Sequence, residues 1–143
     1  MKISIGSDHA GYRYKAAIIA ALIADGHEVN DHGTFSENSV DYPDYVHPVG
    51  NDLDKGISDK GIVLCGSGNG AAITANKHES VRCALCWNEE TARLARQHND
   101  ANTISIPARF VSEILAIEMV RIFLSTDFEG GRHLQRVQKM KCS

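Results

Sequence analysis

The stretch Gly61-Ile62-Val63-Leu64-Cys65-Gly66-Ser67-Gly68-Asn69-Gly70 decides how this chain folds. Gly61 to Leu64 is a short apolar, β-branched run, the pattern of a strand buried on both faces in a parallel sheet. It ends on a thiol, and glycines at alternate positions lead into Ala71-Ala72-Ile73-Thr74-Ala75-Asn76, which begins a helix. Alternate glycines let the backbone turn sharply and aim several N–H groups at one point. That point lies at a helix N-terminus, where unpaired donors and the dipole favour negative charge. Cys65 therefore ends a strand beside an anion-stabilising turn, a setting expected to favour its thiolate form. The same stretch also suits a buried structural cysteine before an ordinary strand-to-helix turn.

Working outward, Lys2 to Gly6 is a first strand, and Ala16 to Ala24 a helix with Tyr14, Ala17, Ile18, Ala21 and Leu22 on one face, stopped by Gly26. His27 to Asp31 is a weaker second strand, residues 32–43 read as a loop, and a helix is expected from Asp44 to Leu53. Val81 to Cys86 is a fourth strand. Asn88 caps a helix running to Gln97, with Glu89 and Glu90 in its first turn. Asn102 to Ile106 is a fifth strand, Leu115, Met119, Ile122 and Phe123 stripe a further helix, and the segment 131–141 is a basic last one. Strands alternating with helices at this spacing predict an α/β fold. It is a doubly wound, flavodoxin-like or Rossmann-like three-layer sandwich on a five-stranded parallel sheet, built as one domain over residues 1–143.

At 143 residues, 43% hydrophobic and 23% charged, the chain has the make-up of an ordinary soluble globule. A net charge of −3 gives no reason to expect nucleic acid or an anionic membrane as partner. No apolar run reaches the ~18 residues of a membrane span, and Met1-Lys2 leads straight into a strand without a signal peptide. Four cysteines in such a chain are expected to be reduced, in the cytosol.

In doubly wound sheets the site lies beyond the C-terminal strand ends, near the point where strand order reverses. The first strand delivers Ser7-Asp8-His9 there, the third Cys65-Gly66-Ser67 and the fourth Cys86-Trp87-Asn88; His98-Asn99-Asp100 starts from the opposite end. A carboxylate, an imidazole and a thiol on strand ends form a chemically useful set.

Several sharper motifs fail. Gly66-Ser67-Gly68-Asn69-Gly70-Ala71 matches a dinucleotide fingerprint, yet it follows the third strand and leaves no room for a substrate domain. A cysteine-phosphatase loop needs arginine where Ala71 stands. A phosphoacceptor domain needs aspartate where Cys65 stands. Cys83 and Cys86, three apart on a strand, point to opposite faces and read as core. The seven histidines never combine with cysteine at zinc-finger spacing, so no metal site is expected. Arg132 and Arg136, four apart after Gly130-Gly131, share one helical face. Such a spacing alone is ordinarily a solvated surface, but two guanidinium groups side by side also suit a phosphate, and the glycine pair leaves the segment free to dock on a second subunit.

Taken together, Gly6-Ser7-Asp8-His9-Ala10-Gly11, Asp41-Tyr42-Pro43, Cys65 to Gly70, Ala75-Asn76-Lys77, Arg96 to Asn102 and Glu129-Gly130-Gly131-Arg132-His133 resemble ribose-5-phosphate isomerase type B. The resemblance covers essentially the whole chain, in order. It implies a metal-independent aldose–ketose isomerase of the pentose phosphate pathway, needing no cofactor and acting on a small sugar phosphate. It also implies a homodimer, or a dimer of dimers, with each site shared between subunits. Carried over residue by residue, Cys65 is the base, Ser67 positions the thiol or the carbonyl, and the N–H groups of Gly66, Ser67, Gly68, Asn69 and Gly70 form the anion hole. Asp8 and His98 open the furanose ring, Asn99 contacts the sugar and Tyr42 lines its pocket. His9, Arg132 and Arg136 hold the phosphate, with Arg109 supplied by the partner chain. Two alternatives accompany this: a hexose-phosphate isomerase of the same family, and a nucleotide-binding flavodoxin-like module.

Overall fold

The structure, a computed structural model, describes residues 1–142. In chain order it runs β1 (Lys2–Ser7), a 3₁₀ turn (His9–Gly11), α1 (Tyr12–Ala24), β2 (Glu28–Asp31), α2 (Tyr42–Asp54), β3 (Lys60–Cys65) and α3 (Asn69–Ala75). There follow β4 (Cys83–Leu85), α4 (Glu89–Gln97), β5 (Thr103–Pro107), α5 (Glu113–Ser125) and α6 (Arg132–Gln138). The five strands form one parallel sheet in the order β2-β1-β3-β5-β4. The chain reverses direction across the sheet between β1 and β3, so their C-terminal ends frame the cleft.

β3 lies at the centre, and its side chains alternate between two cores. Ile62 and Leu64 join Ile3, Ile5, Ile104 and Ile106 beneath α1, α4 and α5, with Ile18, Leu22, Ala92, Met119, Val120 and Phe123. Val63 and Cys65 face the other way, packing with Val46, Val49, Ala71 and Ala75 of α2 and α3. Fully burying a Val, Leu, Ile or Phe contributes about 1.5–3 kcal/mol, so these two layers carry most of the driving force.

The order of the last strands departs from chain sequence: β5, not β4, lies against β3. Every residue of β5 is buried, whereas the three residues of β4 are only half-buried, as suits an edge. Helix starts also move. α1 begins at Tyr12 rather than Ala16, because the carboxylate of Asp8 caps the preceding 3₁₀ turn. α2 begins at Tyr42 rather than Asp44, with Pro43 in its first turn, where a missing N–H costs nothing. Asn88 caps α4 as expected, accepting from the Thr91 N–H at 2.8 Å. Among the described residues no helix is long and apolar enough to cross a membrane.

A polar knot joins α2 to the sheet. Oδ2 of buried Asp52 accepts from Ser4 Oγ at 2.6 Å and Asn30 Nδ2 at 2.8 Å, and lies 2.6 Å from His32 Nε2. Burial alone would raise this carboxyl, but the hydrogen bonds from Ser4, His32 and Asn30 and the His32 charge outweigh it and hold the group below the ordinary range. A carboxyl lowered in the folded state stabilises fully above its unfolded value, about 4, and loses that contribution as pH falls through the folded value. Asp52→Asn is therefore expected to flatten the acid limb of stability below about pH 4 and to cost about 1.5–3 kcal/mol at neutral pH. Urea unfolding midpoints from pH 2 to 7 measure both; an unchanged acid limb rejects the assignment.

Candidate active site

At the C-terminal edge of the sheet, β3 delivers Cys65, 4% exposed, onto the face covered by α2 and α3. Gly68 adopts φ +75°, a conformation open to glycine, and this turns the strand directly into α3. Its carbonyl accepts from Ser105 Oγ at 2.7 Å, pinning the turn to β5. α3 starts at Asn69, two residues before Ala71, with the Asn69 N–H donating to Ser67 Oγ at 3.3 Å. The N–H groups of Gly70 and Ala71 in the first turn have no intrahelical acceptor. A Cβ at Gly70 would run into the Tyr42 ring, so Tyr42 lies directly against this turn.

Two neighbouring strands complete this edge. From β1, the Asp8 N–H donates to the Leu64 carbonyl at 3.3 Å, one residue before the thiol. Asp8 Oδ1 accepts from the N–H groups of Ala10 at 3.0 Å and Gly11 at 3.3 Å, leaving Oδ2 for a ligand. His9 Nδ1 accepts from the Val40 N–H at 3.1 Å, which places the ring proton on Nε2 as a free donor. From β5, the Arg109 N–H donates to the Gly66 carbonyl at 3.0 Å, and its guanidinium lies over Gly66, 3.0 Å from where a Cβ would stand. Arg109, expected from a partner, thus lies against its own chain's turn. Because β5 is the neighbour of β3, its end takes the place expected for Cys86-Trp87-Asn88, which sits at the sheet edge. The Asn88 side chain there is spent on its cap.

The opposite edge gathers the remaining candidates. α4 ends at His98, and Asp100 turns the chain with φ +46°. The Arg96 guanidinium holds Asp100 Oδ1 at 2.9 Å and the Ala101 carbonyl at 2.6 Å, while Arg82 Nη2 reaches the Asp100 carbonyl at 2.8 Å. This clamp fixes the loop that presents His98 and exposed Asn99. The His98 ring stacks on His133 of α6, with centroids 4.2 Å apart and planes 13° off parallel. Glu129 Oε1 stands 3.5 Å from His98 Nε2 and 3.4 Å from His133 Nε2. Burial pushes the His133 imidazole below its ordinary value, and nearby His98, Arg132 and Arg136 add to this against Glu129. Arg132 and Arg136 project from α6 into solvent, one turn apart.

One chain therefore does not assemble the whole set. Asp8, His9, Tyr42, Cys65, Gly66 to Gly70 and Arg109 meet at one edge; His98, Asn99, Arg132 and Arg136 lie at the other. The register pairs Gly61 with Thr103 and Cys65 with Pro107, so four residue steps of β5, roughly 13 Å, separate the ends. The expected phosphate ligands are split two and two.

Glu129 and His133 had entered only as parts of a motif, and the Arg82–Asp100 contact left no mark in the sequence. The Arg96–Asp100 spacing of four was the readable signal. The two imidazoles and Glu129 are close enough to suggest a cation site. Nearly parallel rings, however, direct their in-plane lone pairs alongside one another rather than toward one point. Cys83 and Cys86 pack into opposite cores as expected. Burial raises both thiols, Cys86 to about 12 and Cys83 further, which leaves them protonated at neutral pH.

The chain matches the family model described as ribose/galactose isomerase over residues 3–140. Ribose-5-phosphate isomerase B of Escherichia coli (strain K12) is 42% identical over 137 residues, 96% of this chain and 92% of that protein. A crystal structure of a ribose 5-phosphate isomerase from Thermotoga maritima superposes with a TM-score of 0.95 at 47% identity, covering 98% of this chain and 97% of that one. Ribose-5-phosphate isomerase B from Mycoplasma genitalium, solved with bound ribulose-5-phosphate, superposes with a TM-score of 0.93 at 40% identity over 97% and 93% of the two chains.

Proposed function

We propose that this chain, which belongs to the ribose/galactose isomerase family, interconverts ribose 5-phosphate and ribulose 5-phosphate as an aldose–ketose isomerase. The observation that carries the chemistry is Cys65 at the end of β3, flanked by the glycine turn, Tyr42 and Asp8. Isomerisation moves one proton from carbon 2 to carbon 1 on the same face of the open-chain sugar. A single base can remove and return it through a cis-enediolate. Cys65, as thiolate, is that base, and Ser67 positions it or the carbonyl. The N–H groups of the turn from Gly66 to Gly70 are aimed where the carbonyl oxygen gains charge. Asp8 and His98 open the furanose ring, Asn99 holds the sugar and Tyr42 lines its pocket. His9, Arg109, Arg132 and Arg136 bind the phosphate, whose remote binding energy positions the reacting carbons.

These roles need two copies of the chain. The thiol edge and the His98 edge face opposite ways, so a two-fold homodimer that sets one against the other completes two equivalent sites. The C-terminal helix α6 then packs on the partner and brings Arg132 and Arg136 toward its His9 and Arg109. A dimer of dimers preserves the same pairing. Reduced thiols and a small phosphorylated substrate fit a cytosolic enzyme.

The test is conversion of ribose 5-phosphate to ribulose 5-phosphate by purified protein, before and after exhaustive treatment with a chelator. Thiolate and backbone donors supply both base and electrophile, so activity is expected to survive. Activity that disappears and returns with Zn²⁺ or Mn²⁺ overturns the thiol mechanism.

A further inference from the structure

We infer that Glu129 is a positioning residue for ring opening: its carboxylate holds His98 by Nε2–H and so turns the Nδ1 lone pair toward the sugar. The inference rests on His98 acting in ring opening and deepens that reading. Glu129 Oε1 is 3.5 Å from His98 Nε2, a long ion-pair contact of the kind that catalytic groups often show without substrate. Its backbone N–H donates to the Gln97 carbonyl at 3.1 Å, so the Glu129 main chain is anchored to the residue before His98. His133, stacked on His98 and 3.4 Å from the same oxygen, blocks rotation of the ring away from it.

A carboxylate on one imidazole nitrogen fixes the tautomer and stabilises the imidazolium formed when the other nitrogen takes a proton. The step balances on that basis. His98 Nδ1 removes the proton of the anomeric hydroxyl, and the freed electron pair forms the carbon 1 carbonyl. The bond from carbon 1 to the ring oxygen breaks, and the ring oxygen takes the proton back from the imidazolium. No electron is gained or lost overall, and Glu129 touches no substrate atom.

Substrate chemistry supplies a directional test. Ribulose 5-phosphate carries its phosphate on the only hydroxyl able to close a five-membered ring on carbon 2, so it is acyclic. Its conversion needs the enediolate step alone, because the aldehyde product can close in solution. Glu129→Gln is expected to lower kcat from ribose 5-phosphate about 10- to 100-fold, part of the ~10²–10⁴ that a proton-transfer group supplies. The rate from ribulose 5-phosphate stays within about twofold of the parent in the same proton-transfer framework. Glu129→Asp restores most of the forward rate, and Glu129→Gln adds nothing in a His98→Ala background. An equal loss in both directions, no loss in either, or an additive loss on His98→Ala overturns the inference. Glu129 is half-exposed, so these variants are expected to fold, and thermal unfolding checks this. A parent protein that interconverts neither sugar would instead refute the isomerase reading itself.

Discussion

Cys65→Ala is expected to fold as the parent does and to lose ~10²–10⁴-fold or more in turnover, the contribution of a proton-transfer group without a substitute. Its neighbours at this edge carry other contacts. The Asp8 carboxylate spends Oδ1 on two backbone N–H groups, and the His9 ring spends Nδ1 on the loop at Val40. Ser67, exposed in the turn, carries a hydroxyl that stays protonated at neutral pH. Structurally the change is mild: the sulfur lies at the margin of the α2/α3 core, and losing one heavy atom costs about 1 kcal/mol. Cys83→Ala and Cys86→Ala test the same idea from the other side. Their thiols pack against the two cores and are pushed up in pKa, Cys86 to about 12, so each substitution should leave kcat nearly unchanged. Steady-state kinetics with a thermal unfolding curve for each variant decides the matter. Parental turnover in Cys65→Ala removes the thiol from the mechanism.

The second large effect is a recovery. Cys65→Ala and His98→Ala homodimers are each expected to turn over ribose 5-phosphate poorly. Co-expressed with distinct tags and purified as the mixed dimer, they should regain about half of parental activity, since two-fold symmetry gives one intact site and one doubly disabled site. The reason is topological. Cys65 closes β3 at the C-terminal edge, while His98 ends α4 at the edge where β5 begins, so the strand length separates them within a chain. A site confined to one chain would gain nothing from mixing. Activity in the mixed dimer no higher than in either parent therefore rejects the shared site and leaves the isomerase assignment standing.

Much of this molecule was legible along the chain. The run from Gly61 to Leu64 read as a doubly buried strand because both of its faces are apolar, and both are covered. Asn88 followed by Glu89 and Glu90 read as a helix start because a side-chain acceptor and two carboxylates suit unpaired N–H groups. Cys83 and Cys86 were separable by strand geometry alone, and they lie in different cores. The thiol, its glycine turn, Asp8 and His9 were placed at the C-terminal strand ends by residue type and spacing, whereas Tyr42 was marked only by the family resemblance. What tertiary structure alone decided was adjacency. Nothing local distinguishes β4 from β5 as the partner of β3. That choice follows from total burial, which favours the strand able to hide all five residues, and it brought Arg109 over Gly66. Nor does spacing reveal that Glu129 and His133 close around His98, because β5 and α5 intervene and only packing brings them back. Periodicity and capping act over a few residues and are written locally, whereas strand order and the edge on which a side chain emerges depend on contacts far apart in sequence. The separation of the candidate residues is such a property: the residue types were present in the sequence, and the folded sheet placed them at opposite ends.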